Sequence, residues 1–252
     1  MQFSRHKRLL LLAAIFASLV LAGCEKEAVE AIGLEKKLIS IKAEDGKHLA
    51  AHLYLPVTKN NSKLPGVVLL GPFLETRLTY DRVDSALAHS GMLVLSVDVR
   101  GSGESEGSGG DFDPSFVRDL PRDAKAALDY LASLPQVDSK RLAVLGTGIT
   151  ARAAVLGAGT DKNVRAVVLV SAALDSVGLA VIRQTPFRAV LTVCSFQDAY
   201  AGAQAKLISE ASQHRNSEIK VLMNAGEGSE IWWSHARPEI ALYIIDWLSK
   251  VL

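Results

Sequence analysis

Six short apolar runs, separated by stretches with helical character, restrict the architecture of this chain more than any other feature. They cover residues 66–70, 92–97, 142–145, 164–170, 189–193 and 219–223. Most carry at most one polar residue, as strands covered on both faces of a parallel sheet do. Between them, helices are expected at 75–89, 122–134, 150–158 and 198–213, with a last one from about Pro238 to Leu252. Pro121 suits the start of the second helix better than its interior. In the terminal helix Ile240, Ala241, Ile244, Ile245 and Leu248 form an apolar stripe at helical spacing. Ahead of the first run, Ile39, Ile41 and Ala43 alternate with Ser40 and Lys42, Asp45-Gly46 marks a tight turn, and a second strand runs over 49–55 until Pro56. The expected fold is α/β: a mostly parallel central sheet with helices on both faces and an N-terminal antiparallel hairpin. Residues 172–186 are too few for a lid domain, so the carboxyl edge of the sheet is expected to be open.

The beginning of the chain belongs to a different class. Arg5, His6, Lys7 and Arg8 precede an apolar run of about 13 residues, Leu9 to Leu21, and Ala22-Gly23-Cys24 follows. A basic flank and a short apolar core make a secretory signal, and the run is shorter than the ~20 residues of a free-standing membrane helix. Leu21-Ala22-Gly23-Cys24 resembles the bacterial lipobox, which implies lipidation of Cys24 and attachment to a membrane. An uncleaved anchor and ordinary cleavage without lipid are the alternatives. The expected division is a signal at 1–23, a tether at 24–36 and one domain at 37–252. The net charge of +1 over 252 residues offers no basic field for nucleic acid. Apart from Cys24 the chain has only Cys194. It follows a largely apolar run and is read as a buried, inert thiol with no disulfide partner.

Two stretches carry a family resemblance. Asp98-Val99-Arg100-Gly101-Ser102-Gly103-Glu104-Ser105 resembles the D-x-R-G-x-G-x-S loop of many α/β-hydrolases. It is neither a dinucleotide fingerprint nor a phosphate-binding P-loop, because the glycine spacing fails at Glu106 and no Gly-Lys-Ser/Thr follows. Leu142 to Ala154 reads as a buried strand, a glycine turn and a small-residue helix, the setting of the α/β-hydrolase nucleophile elbow G-x-S-x-G. Laid on that pattern, Gly146 takes the first glycine, Gly148 the serine and Thr150 the last glycine. A plain glycine turn in another α/β fold is the alternative for this stretch.

The resemblance implies a nucleophile, an acid and a histidine in that chain order. A hydroxyl becomes nucleophilic only when a histidine takes its proton and a carboxylate fixes that imidazole. Here Gly148 offers no reactive atom. Asp198, in Ser195-Phe196-Gln197-Asp198, matches the acid position, with helix capping a compatible role. Asn224-Ala225-Gly226-Glu227-Gly228 matches the final histidine turn, with Glu227 in the histidine's place. The oxyanion donors would be the backbone N–H groups of about Phe73 and Ile149, in a loop where Gly71-Pro72 replaces the family's frequent His-Gly. His235 is an alternative base if its loop folds back. Thr147, Thr150 and Ser171 are alternative hydroxyls near strand ends. No histidine or cysteine cluster supports a metal at Asp198 and Glu227, and no cofactor is implied.

Three functions remain in view. The first is an envelope lipoprotein that has lost serine-hydrolase chemistry and binds a small ligand or protein partner. The second is an active ester or amide hydrolase with a rearranged site using His235. The third is a structural envelope protein that uses Ile231, Trp232 and Trp233 as a contact patch. The paired losses at Gly148 and Glu227 favour the first, because catalytic groups act as a unit.

Overall fold

The computed structural model describes residues 31–58, 62–107 and 114–252. The signal, Cys24 and most of the expected tether lie outside them. Among the described residues eight strands form one sheet: β1 (Ala31–Lys42), β2 (His48–Thr58), β3 (Leu64–Leu70), β4 (Leu93–Val97), β5 (Val137–Thr147), β6 (Val164–Val170), β7 (Ala189–Ser195) and β8 (Glu218–Leu222). Their order is β1-β2-β4-β3-β5-β6-β7-β8. β1 and β2 pair antiparallel, as do β2 and β4, and from β4 to β8 every pair is parallel. Six α-helices accompany them among the described residues: α1 (Val83–His89), α2 (Pro114–Ser133), α3 (Ile149–Ala158), α4 (Ser176–Gln184) and α5 (Ala199–Ala211) between strands, and α6 (Arg237–Val251) after the last.

The apolar runs are continuous because both faces of the sheet are covered. Along β5, Leu142 and Val144 join a core with α2, α3 and α4 through Leu120, Ala154 and Ile182. Their neighbours Ala143 and Leu145 join the opposite core with α1 and α6 through Leu87, Ile240 and Trp247. Each fully buried Leu or Val side chain contributes about 1.5–3 kcal/mol relative to exposure. The central strands are therefore the least negotiable part of the fold.

Three expectations need correction. β1 begins at Ala31, inside the stretch read as tether, because β2 continues beyond Pro56 and offers it a partner: Leu34 pairs with Pro56 and Ala31 with Thr58. β4 covers β2 only at 51–54, so Pro56 lies where β2 has a neighbour on one side alone. A missing N–H is tolerated there. Pro121 lies inside α2, which starts at Pro114 instead of 122. The expected 75–89 helix is broken into a 3-10 turn (Arg77–Tyr80) and α1, with Arg82 at φ 76° between them. Within residues 172–186 the chain forms the nine-residue helix α4.

Candidate active site

At the end of β5 the chain turns through Gly148, which has φ 58° and ψ −117°. This backbone lies outside the regions open to L-residues at low cost. It is what a strand-to-helix elbow demands if it is to hold a side chain out over the sheet edge. A Cβ built on Gly148 meets nothing within 4 Å, so the space in front of the elbow is open. Gly146 is fixed by close approach, since a Cβ there would lie 2.3 Å from the carbonyl oxygen of Thr150. Thr150 Oγ1 accepts from the Thr147 N–H (3.0 Å) and donates back to the Thr147 carbonyl (3.0 Å), closing the turn from inside.

Beneath the elbow lies a buried polar network. Tyr80 donates to the Leu70 carbonyl (2.7 Å), and its oxygen is 2.9 Å from Thr147 Oγ1. The Trp232 indole N–H donates to the same Thr147 oxygen (2.9 Å), and its ring meets Tyr80 edge-on at 5.0 Å between centroids. Burial pushes the Tyr80 hydroxyl well above the ordinary tyrosine range. The network fastens β5 to the end of β3 and to the turn that follows β8.

The turns that carry Asp198 and Glu227 meet. Asp198 caps α5 by accepting from the Ala201 N–H (2.8 Å), and its other oxygen accepts from the Gly228 N–H (3.2 Å). Gly228 directly follows Glu227. Glu227 is exposed and heads a 3-10 turn in a reciprocal capping arrangement with Glu230, whose carboxylate accepts the Glu227 N–H (3.2 Å). On the other flank, Leu70 of β3 pairs with Gly146 of β5, so the loop carrying Phe73 leaves the sheet beside the elbow and Ile149. Ser102 Oγ accepts the Leu74 N–H at 2.8 Å and holds that loop. Glu75 accepts from Ser229 and from Thr79 (2.9 Å), bridging the Phe73 loop to the turn after Glu227. Sequence reasoning missed this strap and the Tyr80–Thr147–Trp232 network, because neither follows a local spacing.

The D-x-R-G-x-G-x-S loop is the buttress behind the site. Asp98, fully buried, accepts from the Arg77 guanidinium and from the Glu104 N–H (2.9 Å). Arg77 also pairs with Glu104 and stands 3.3 Å from His52 Nε2. Arg100 clamps Asp123 of α2 (2.6 Å) to Asp45 of the β1–β2 turn (2.7 Å). Burial, with Arg77 beside it, pulls His52 down to about 4.

His235 is not brought to the elbow. It is exposed in a groove between α1 and the start of α6, beside Trp233 and Arg237, and bonds no hydroxyl among the described residues. Of the three alternative hydroxyls, Thr147 and Thr150 are committed to the bonds above. Ser171, at φ 42° after β6, is buried with no hydrogen-bond partner for its Oγ. Ile231 and Trp232 are fully buried, which removes them from the proposed contact patch, whereas Trp233 is 63 % exposed. Cys194 is a buried free thiol, pushed up by burial. Among the described residues no group of three or more His, Cys, Asp or Glu side chains could hold a metal, and no helix is long and apolar enough to cross a membrane.

Sheet order, elbow and the loops at its edge define the α/β-hydrolase fold. Within that superfamily, the sequence model of the X-Pro dipeptidyl-peptidase family (S15) matches residues 45–239, and the chain belongs to that family. It is 29 % identical over 136 residues to an uncharacterized protein, PA2218, of Pseudomonas aeruginosa, covering 54 % of this chain and 36 % of that protein. It is 32 % identical over 141 residues to a thiohydrolase of Arthrinium phaeospermum, covering 55 % and 43 %. The chain thus spans about four-tenths of the length of these curated relatives. The crystal structure of PA2218 superposes with a TM-score of 0.70 at 17 % identity, over 88 % of this chain and 95 % of the other. An acetyl xylan esterase from Paenibacillus sp. R4 gives 0.70 at 16 % identity, over 88 % and 85 %. At these identities the structural likeness concerns the fold alone.

Proposed function

We propose that this protein is a cell-envelope lipoprotein, held to a membrane through lipidated Cys24, whose α/β-hydrolase site no longer performs serine-hydrolase chemistry and binds a small ligand or a protein partner. One observation carries the reading: the elbow has the backbone of a nucleophile turn, with open space before it, and a glycine at its tip. Glycine adopts that conformation at little steric cost, so the turn persists while the reactive oxygen is gone. Glu227 at the base position supports the same conclusion. A carboxylate does not replace an imidazole that accepts a proton from a hydroxyl and returns it to a leaving group.

The test is direct. A fluorophosphonate probe, a panel of aryl esters and X-Pro dipeptide anilides should give no labelling and no turnover above a heat-denatured control. Labelling of the native chain that is lost on Ser171→Ala would overturn the proposal in favour of a relocated nucleophile. The anchoring part is tested separately: metabolically incorporated palmitate should label the chain and vanish in Cys24→Ser.

A further inference from the structure

The groove that holds His235 lies outside the elbow site and has a chemistry of its own. It encloses about 560 Å³ between α1 and the start of α6, within the usual range for pockets that take a small organic ligand. Ala86, Ala241 and Leu242 give it apolar walls, and Trp233 is also among its lining residues. Trp233 and Leu242 are 63 % and 68 % exposed and line the same groove, so their apolar surface is continuous with its walls.

Two cations line the same groove. Neither Arg82 nor Arg237 meets a carboxylate within ion-pair distance among the described residues. The nearby acids are directed elsewhere. Asp84 is buried against the Tyr54 hydroxyl, Asp81 acts on that same pair, and Glu239 is paired with Lys220 at 2.7 Å. Arg82 is also held at φ 76°, a conformation rare for a side chain of its size. An apolar cleft with two unpaired guanidinium forks calls for a ligand that is apolar along its length and anionic at one end. Guanidinium forks match the two oxygens of a carboxylate.

We propose that this groove is a binding site for a carboxylate-headed amphiphile with an unbranched alkyl chain, its head between Arg82 and Arg237 and its chain along Ala86, Ala241 and Leu242 beneath Trp233. The site is independent of the elbow and of whether that elbow is catalytic.

Dodecanoate, kept below its micellar concentration, tests this by calorimetric titration into the purified full chain made without lipid by Cys24→Ser, with tryptophan fluorescence, compared before and after Trp233→Phe, as a second signal. One equivalent should bind with micromolar affinity, and dodecan-1-ol should bind about tenfold more weakly, because it lacks the charge. The Arg82→Gln/Arg237→Gln variant should lose about tenfold for dodecanoate and nothing for the alcohol. Leu242→Glu, at an exposed position that the fold tolerates, should abolish binding with an unchanged unfolding midpoint. Equal affinity for acid and alcohol, or insensitivity to these substitutions, would overturn the proposal. So would absence of dodecanoate binding. Sedimentation with phosphatidylglycerol vesicles that depends on the two arginines, without dodecanoate binding, would assign the face to a membrane surface instead.

Discussion

Replacing Gly148 and Gly146 separately by alanine distinguishes two reasons for a glycine within one turn. At Gly148 the added Cβ meets nothing within 4 Å, so the cost comes from holding an L-residue at φ 58° and ψ −117°. Such strain is worth about 1–3 kcal/mol. Reduced freedom of the unfolded chain offsets about 0.4–1 kcal/mol of it, leaving a net loss centred on about 1.3 kcal/mol and below about 2.6 kcal/mol. At Gly146 the Cβ would lie 2.3 Å from the Thr150 oxygen and 2.6 Å from the Ala151 nitrogen, both backbone atoms of the first turn of α3. That turn cannot yield by a rotamer change, so the loss should reach about 3 kcal/mol or more. Urea unfolding of both variants, read as midpoint shifts at constant slope, checks the order. Gly148→Ala at no cost would mean that the elbow backbone is not imposed by the fold. A loss equal to that of Gly146→Ala would mean that the space before the elbow is filled.

Two further outcomes follow from buried charges. Burial raises the Asp84 carboxyl from 3.8 to about 6, against the smaller opposing pull of Tyr54. A group raised in the folded state stabilises most below its unfolded value and loses that contribution as pH climbs through the folded one. Asp84→Asn should therefore stabilise the protein at pH 7 by up to about 3 kcal/mol, with the gain shrinking between pH 6 and 4 and absent below. Equal effects at pH 7 and pH 3.5 in urea unfolding would refute this. Arg188, 1 % exposed, donates to the carbonyls of Val164, Gly159 and Asp161 at 2.8–2.9 Å and of Ala158 at 3.3 Å, satisfying the C-terminal end of α3. Arg188→Met should cost about 3–5 kcal/mol in urea unfolding; a loss below about 1 kcal/mol would show that water replaces it.

Much of the sheet was readable in the sequence because burial on both faces leaves an unbroken apolar signature, as in residues 164–170 of β6. What escaped detection depended on partners distant in the chain. Ala31 to Lys36 is polar enough to pass for a tether, and becomes strand only because β2 runs on to Thr58. Pro121 misleads because a helix anchored by Leu120, Ala124 and Leu128 in the core can carry an interior proline. At the site, the strand, glycine turn and helix around Gly148 and the capping role of Asp198 were legible in the sequence. His235 was not, since the chain reverses its facing between two consecutive residues, Trp232, drawn under the elbow by Thr147, and Trp233, turned out into the α1–α6 groove. Asp98 and Arg100 were recognised as a motif, yet their work as a clamp on Arg77, Asp45 and Asp123 needs three dimensions.

The most direct measurement restores what the elbow and its opposite turn lack. Fluorophosphonate labelling is compared among the native chain, Glu227→His, and the Gly148→Ser/Glu227→His double variant, each shown folded by its unfolding midpoint. The account predicts labelling of the double variant alone, because the strained turn, Asp198 and the backbone donors near Phe73 and Ile149 would again serve a hydroxyl and an imidazole. A native chain that labels as strongly as the double variant, or a folded double variant that stays inert, would contradict it.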